Sequence, residues 1–228
     1  MNMNLVGYLT QYPKGTAGER GVCFNYILAA NGIFIEAENP VIAARIPAAD
    51  CEIRGLAPLE PKVTLTYGSI PERFWDLALD MFLSNPDLEQ YCAVIGAAGY
   101  HFYVPQQEKK EASVTYQMGT GVVLDLHSHG HMLAGFSSKD NDDDQGLKLY
   151  GVVGSLHEVP VVKFRVGVYG YFMELRWKDI FSGTIAGALE EYGYEEVKTG
   201  DLCSEPTAAC PKLENPGRRV WWHRWLRR

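Results

Sequence analysis

The chain has 228 residues, of which 46% are hydrophobic, and its formal net charge at pH 7 is −7. A chain of this length and composition can bury one substantial core, so we expect a globular protein. The negative charge disfavours a general nucleic-acid-binding protein.

Neither a membrane span nor a secretory signal is indicated. The sequence has no run of eighteen or more uncharged apolar residues, and its first residues lack the basic and apolar regions of a signal peptide. The five cysteines are scattered without a CxxC pair, so we interpret them as free thiols rather than as a disulfide framework or a zinc knuckle. These features together predict a cytoplasmic protein.

Residues 1–68 are predicted to form a small β-rich N-terminal lobe. Short apolar stretches alternate there with turn signals, and Asn31-Gly32 lies between two apolar runs. Asn-Gly in that setting is the strongest short sequence signal for a β-hairpin.

A helix is predicted over residues 70–83. Ser69 and Glu72 have the spacing of a capping box, Pro71 suits the first turn, and apolar residues follow at helical spacing. The helix is expected to end before Asn85-Pro86.

The following elements are mainly predicted strands. Residues 106–112 are predicted to be a loop, and residues 178–192 a helical segment broken by glycines. In chain order the predicted strands are Tyr91–Ile95, Tyr100–Val104, Val122–Leu126, Leu147–Val153, Val162–Val168 and Tyr171–Trp177. The pattern predicts an α+β domain over residues 69–200, followed by a tail over residues 201–228.

The segment HSHGHMLAGFSSKD, residues 127–140, contains a set of candidate metal ligands. Two histidines one residue apart on a strand point to the same face, so His127 and His129 can reach one ion. Asp140 then supplies a carboxylate. Two imidazole nitrogens and one carboxylate oxygen suit Zn²⁺ in the open arrangement that leaves a fourth position for water.

The spacing of these residues, HxHx(7)SxxD, resembles the motif of the JAB/JAMM (MPN+) metalloproteases, with Ser137 and Asp140 as its last two members. In that family a catalytic glutamate begins an apolar strand that ends in glycine seven residues later. Counting back from Gly96 in EQYCAVIG gives Glu89. The resemblance implies a JAB/MPN-like (cytidine-deaminase-like) fold, in which helices flank a mixed sheet.

The same resemblance implies a role for each matched residue. His127, His129 and Asp140 would bind zinc. Glu89 would be the general base and would later donate a proton to the leaving amine. Ser137 would hydrogen-bond the oxygen of the tetrahedral intermediate.

A longer stretch, DLHSHGHMLAGFSSKDNDDDQGLKLYGVVGSL, resembles the PRTRC group of bacterial, often plasmid-borne, JAB proteins. Those cassettes also encode an activating-enzyme-like protein and a small protein proposed to be ubiquitin-like. The resemblance implies cleavage of a peptide or isopeptide bond at the C-terminus of a ubiquitin-like modifier, with the modifier or its conjugate and the activating-enzyme-like protein as partners. One departure is Gly130, where many family members have proline after HSH.

Several of these residues also have plainer interpretations. Glu89 can be a solvated carboxylate that follows the break at Pro86. His131 continues the histidine face, so it is either a third ligand or a loop residue near the mouth of the site. Asp125 either orients a histidine or faces solvent.

The acidic run that starts at Asp140 does not predict a calcium loop. An EF-hand needs glycine at the sixth position and glutamate at the twelfth, where this chain has Gln145 and Gly151. We interpret residues 142–144 as a solvated acidic loop.

The C-terminal sequence WWHRWLRR mixes aromatic and basic residues, as contacts with nucleic acids or anionic surfaces do. The alternative is that tryptophans pack on the body while arginines are solvated. Nucleic-acid binding is therefore expected only through this tail.

Three other functions compete with a zinc-dependent isopeptidase. A non-catalytic MPN-like scaffold usually lacks the ligand set that this chain retains. An amidohydrolase would need further ligands downstream, but only His157 and His223 follow Asp144 among the histidines. A DNA-associated relative is disfavoured by the acidic body of the chain.

Overall fold

A computed structural model describes residues 4–110, 113–116 and 120–193, and these residues form an α+β arrangement of mixed sheets with few helices. The predicted α+β class is therefore confirmed. The C-terminal tail, with Cys203, Cys210 and His223, lies outside the described residues.

Six strands between residues 6 and 65 form the first sheet, in the order β2-β1-β3-β4-β5-β6. Strands β1 and β3 are parallel, and all other neighbours are antiparallel. The strands are β1 (Val6–Tyr12), β2 (Gly15–Glu19), β3 (Phe24–Ala29), β4 (Gly32–Glu38), β5 (Ile42–Ala49) and β6 (Lys62–Leu65).

The hairpin predicted at Asn31-Gly32 joins β3 to β4 and is confirmed. The Asn31 side chain also accepts a hydrogen bond from the Leu59 backbone N–H at 2.9 Å and donates to the Leu59 carbonyl at 2.8 Å. The turn is thus tied to a later loop.

Helix α1 covers Arg73–Leu83 and starts three residues after the predicted position. The capping box is wrong: Glu72 is the N-cap and makes no side-chain cap, and its carboxylate accepts from the Thr184 N–H at 3.0 Å instead. Ile70 instead pairs with Phe181 in an isolated bridge, so the chain before the helix is bonded to the segment after α3.

Seven strands form the second sheet, in the order β14-β13-β12-β11-β7-β8, with β15 beside β13. The remaining elements are, in chain order, β7 (Tyr91–Gly96), β8 (Tyr100–Tyr103), β9 (Gln107–Lys110), β10 (Ser113–Tyr116), β11 (Val122–Ser128), α2 (Ser138–Asp143), β12 (Leu147–Gly154), β13 (Val161–Val168), β14 (Tyr171–Leu175), α3 (Trp177–Ile180) and β15 (Leu189–Glu190). Strand β11 is parallel to β12 and antiparallel to β7, so the sheet is mixed.

The secondary structure predicted from the sequence is wrong for two segments. The loop predicted over residues 106–112 contains β9, which pairs with β10 in a hairpin. In the helical segment predicted over residues 178–192, only the end of α3 is helical and Leu189–Glu190 form β15, because Gly183 and Gly187 adopt positive φ angles of 77° and 73°. The chain then bonds to neighbouring elements rather than to itself.

One hydrophobic core is shared by the two sheets and α1. The buried face of α1 is formed by residues at helical spacing, which are Phe74, Trp75, Ala78, Leu79 and Phe82. Strands β4 and β5 contribute from the first sheet, and the central strands contribute from the second.

The described cysteines Cys23, Cys51 and Cys92 are free, as predicted. Among the described residues, none of the helices has the length and apolar character needed to cross a membrane.

Replacement of Trp75 tests the shared core. The indole is fully buried, and its Nε1–H donates to the Ala186 carbonyl at 3.0 Å. We expect Trp75→Ala to lower the free energy of unfolding by about 3–5 kcal/mol, measured by denaturant titration. Leu77→Ala, at an exposed position of the same helix, is the matched control and should change stability little.

Candidate metal centre

The candidate metal ligands lie at the C-terminal end of β11, in the middle of the second sheet. Leu124 and Leu126 face the shared core, whereas His127 follows Asp125 on the opposite face. Strand β12 is parallel to β11, and β7 is antiparallel to it. The C-terminal ends of β11 and β12 therefore lie beside the N-terminal end of β7. The loop after β11, the loop after β12 and the segment before β7 meet at this end of the sheet.

The structure brings His127, His129 and Asp140 together. The Nε2 atoms of the two histidines are 3.1 Å apart. His127 Nε2 lies 3.6 Å from Asp140 Oδ1, and His129 Nε2 lies 3.9 Å from Asp140 Oδ2. The side chains are only 11–19% exposed, so the cluster is half-enclosed rather than fully solvated.

The surroundings of His127 and Asp140 favour the protonation states that bind a cation. Burial, followed by His129 and Arg165, lowers the pKa of His127 to about 4 against the opposing effect of Asp140. The imidazole is therefore neutral near pH 7, with a lone pair available. Burial opposes ionisation of Asp140, but His127 and the Ser137 hydrogen bonds outweigh it, and the pKa of Asp140 is lowered.

Ser137 fixes the position of Asp140 through a capping box at the start of α2. The Asp140 carboxylate accepts from the Ser137 backbone N–H at 2.6 Å and from its hydroxyl at 2.7 Å. In return, the Ser137 Oγ accepts from the Asp140 N–H at 3.2 Å. These reciprocal bonds hold the carboxylate at the N-terminus of a short helix.

Arg165 on β13 anchors the other end of α2, and the sequence analysis did not identify it. Its guanidinium donates to Asn141 Oδ1 at 2.5 Å and to Asp144 Oδ2 at 2.6 Å. The same group stacks between the rings of Phe136 and Phe172, at 3.7 Å and 3.9 Å from their centroids. A buried, bidentate arginine thus ties the ligand-bearing helix to the sheet.

Glu89 precedes β7, next to the two histidines. Tyr91 pairs with His127 and Gln90 bonds with Ser128, so Glu89 comes next in register, opposite His129. Its side chain is partly buried. Burial, and next the charge of Asp140, raises its pKa, with Lys139 opposing.

The buried side chain of Gln90 determines where Glu89 lies. Its Nε2 lies 3.0–3.1 Å from the carbonyl oxygens of Met81, Phe82 and Asn85, and its two N–H groups donate to this set. Met81 and Phe82 belong to the last turn of α1, where backbone acceptors lack helical partners, and Asn85 lies just beyond it. Glu89 is therefore held between the end of α1 and the histidine strand.

Asp125 and His131 lie outside the cluster of His127, His129 and Asp140. Asp125 is only 3% exposed, and its carboxylate lies 3.2 Å from the Lys148 Nζ, so the interpretation that it faces solvent is wrong. His131 is exposed beyond the end of β11 and lies beside Asp87 rather than in the cluster of His127 and His129. The interpretation of His131 as a loop residue agrees with this placement.

Gly130 has a structural reason to differ from proline. Its φ angle is +57°, whereas a proline ring fixes φ near −65°. A Cβ at this position would also lie 2.9 Å from the Pro86 carbonyl oxygen. The chain can therefore pass close to the segment before β7 only with glycine here.

A scan of protein-family models finds no match to this chain, and a comparison with curated proteins finds no significant relative. The functional interpretation therefore depends on the geometry of the site.

Replacement of Arg165 tests whether the anchor of α2 supports the metal centre. Groups that orient metal ligands typically contribute about 10–100-fold to metal affinity. We expect Arg165→Ala to weaken zinc binding by about that factor, measured by competition with a chromogenic chelator.

The matched control is Lys163→Ala on the same strand, because Lys163 pairs with the partly exposed Glu191 away from α2. Its zinc affinity should stay unchanged. An Arg165→Ala protein that is folded by circular dichroism and binds zinc like the wild type would contradict this role.

Proposed function

We propose that this chain is a zinc-dependent hydrolase of the JAB/JAMM type, with a JAB/MPN-like fold, which cleaves a peptide or isopeptide bond at the C-terminus of a ubiquitin-like modifier. The observation that supports it most is the convergence of His127, His129 and Asp140. The pairing of β7 with β11 also puts Tyr91, two residues after Glu89, opposite His127. The three converging residues and Glu89 match the family motif residue by residue.

The donor set and its spacing fit zinc. Ligands about 2.0–2.1 Å from a tetrahedral zinc ion are roughly 3.4 Å from one another. The three separations here, 3.1, 3.6 and 3.9 Å, bracket that value. When bound, zinc would act as a Lewis acid and would lower the pKa of its water towards neutrality.

Glu89 would carry the proton of the reaction. Burial and the charge of Asp140 raise its pKa, which moves it towards the range in which a carboxyl group both accepts and returns a proton near neutral pH. Glu89 is also outside the ligand cluster, so it remains available to act as a base.

Ser137 would stabilise the developing oxyanion, but the capping box also gives it a positioning role. Its hydroxyl has one proton, which is donated to Asp140 in this structure. To donate to an oxyanion, the hydroxyl has to rotate away from Asp140. Loss of the positioning role would weaken zinc binding, whereas loss of the oxyanion role would lower kcat even at saturating zinc.

The surface beside the site suits an extended peptide with apolar side chains. Met132 is 48% exposed and Leu133 is 81% exposed, and they lie four and five residues after the end of β11. Adjacent exposed apolar side chains are typical of contact surfaces. We therefore place the C-terminal tail of the modifier along residues 132–133.

Replacement of the proposed base tests the function. The substrates are a ubiquitin-like protein fused to a reporter through a peptide bond and the same protein linked to a lysine side chain, with and without the activating-enzyme-like partner. We expect Glu89→Gln to keep wild-type zinc content and to lose about 10²–10⁴-fold in kcat, as removal of a general base does.

Glu60→Gln, at an exposed position in the loop before β6, is the matched control and should keep full activity. If the zinc-loaded wild type cuts neither kind of linkage, the hydrolase proposal fails, and a binding scaffold becomes the better explanation.

Replacement of Ser137 separates the two roles of its hydroxyl. With Ser137→Ala, loss of the cap should weaken zinc binding, because N-cap replacements cost about 0.5–2 kcal/mol. At saturating zinc we still expect kcat to fall by about 10²–10³-fold, as loss of an oxyanion donor does.

Ser138→Ala, at the neighbouring exposed position, is the control. Recovery of the wild-type kcat by zinc alone would show that Ser137 only positions Asp140.

A further inference from the structure

We propose that Asp87, His131 and His157 form a second site, for a divalent first-row transition-metal ion. None of these residues belongs to the metal centre proposed above, so the inference goes beyond the proposed hydrolase function. The site lies at the same edge of the second sheet, where the three segments around the end of β11 meet.

The two imidazole Nε2 atoms lie close to one oxygen of the Asp87 carboxylate. His131 Nε2 lies 3.0 Å from Asp87 Oδ1, and His157 Nε2 lies 3.2 Å from the same oxygen. The two rings are stacked, with centroids 3.2 Å apart and planes 4° from parallel. Both Nε2 atoms thus lie near the same carboxylate oxygen, and one imidazole has to turn out of the stack before the in-plane lone pairs of both rings reach one ion.

These two separations are close to those between ligands of one ion, and the ligand atoms of all three residues lie within 4.8 Å of one another. Ligand atoms of a tetrahedral zinc ion lie roughly 3.4 Å apart, slightly more than the distances here. Two imidazole nitrogens with one carboxylate favour Zn²⁺, Co²⁺, Ni²⁺ or Cu²⁺, whereas Mg²⁺ and Ca²⁺ prefer oxygen ligands. The chemistry points to a transition-metal ion.

The backbone holds the three segments in place independently of any ion. The Leu156 N–H donates to the Gly130 carbonyl at 2.9 Å, and the Ser155 N–H donates to the Met132 carbonyl at 2.8 Å. Ser155 has a φ angle of +56°, a conformation that non-glycine residues adopt only when their surroundings enforce it. The loops that carry His131 and His157 are thus bonded to each other on both sides of His131.

The third segment joins this arrangement through Gly130. The Pro86 carbonyl approaches Gly130 so closely that a Cβ there would lie 2.9 Å from its oxygen. Asp87 follows directly. Glycine at position 130 therefore lets the carboxylate come within reach of both imidazoles.

The exposure of the three side chains determines how tightly this site would hold an ion. The side chains of Asp87, His131 and His157 are 68%, 61% and 36% exposed, compared with 11–19% in the first cluster. With three exposed ligands and free coordination positions, the site would exchange its ion more readily and bind it more weakly. Its occupancy would follow the free metal concentration.

The test is a titration of the metal-free protein with Co²⁺, followed by visible absorption, and with Zn²⁺ in competition with a chelator. We expect the wild type to bind a tight and a weaker equivalent. His131→Ala and His157→Ala should each weaken the second event by at least about tenfold, because a metal ligand is lost. The first event should be unchanged.

His101→Ala is the matched control, because this exposed histidine lies on β8, where its Nε2 is 2.9 Å from the Ala97 carbonyl oxygen. It should keep both events. His127→Ala should lose the tight event and keep the weaker one, which separates failure of the first site from failure of the second. The inference is overturned if the wild type shows no second event, or if His131→Ala and His157→Ala leave that event unchanged.

Discussion

The position of β11 between an antiparallel and a parallel neighbour is the constraint on which the candidate site depends. Because β7 starts where β11 ends, Glu89 comes beside the histidines. Because β12 runs parallel to β11, the loop that follows β12 reaches the same edge and brings His157 there. Side chains from three segments that are distant along the chain therefore meet at the C-terminal end of β11.

The sequence predicted the parts of the site that depend on local periodicity. Two histidines one residue apart share a face on any strand, so the pairing of His127 and His129 needed no tertiary information. Asn31-Gly32 determined its hairpin in the same way. Glu89 and Asp140 required the spacing of a known family motif, because nothing in their own neighbourhood shows that they meet the histidines.

The sequence did not predict contacts between residues that are distant along the chain. Arg165 holds Asn141 and Asp144 across the sheet, and as one basic residue in an alternating strand it carried no sign of that role. The start of α1 and the chain after α3 were also mispredicted, since the Ile70–Phe181 bridge ties these two segments to each other. In each case tertiary pairing outweighed local propensity.

The most direct test of the metal centre is an anomalous diffraction map, recorded at the zinc absorption edge, from crystals of the protein with one equivalent of zinc. The account predicts its strongest peak within about 2.0–2.2 Å of His127 Nε2, His129 Nε2 and the Asp140 carboxylate. A strongest peak anywhere else, or none at all, would contradict it.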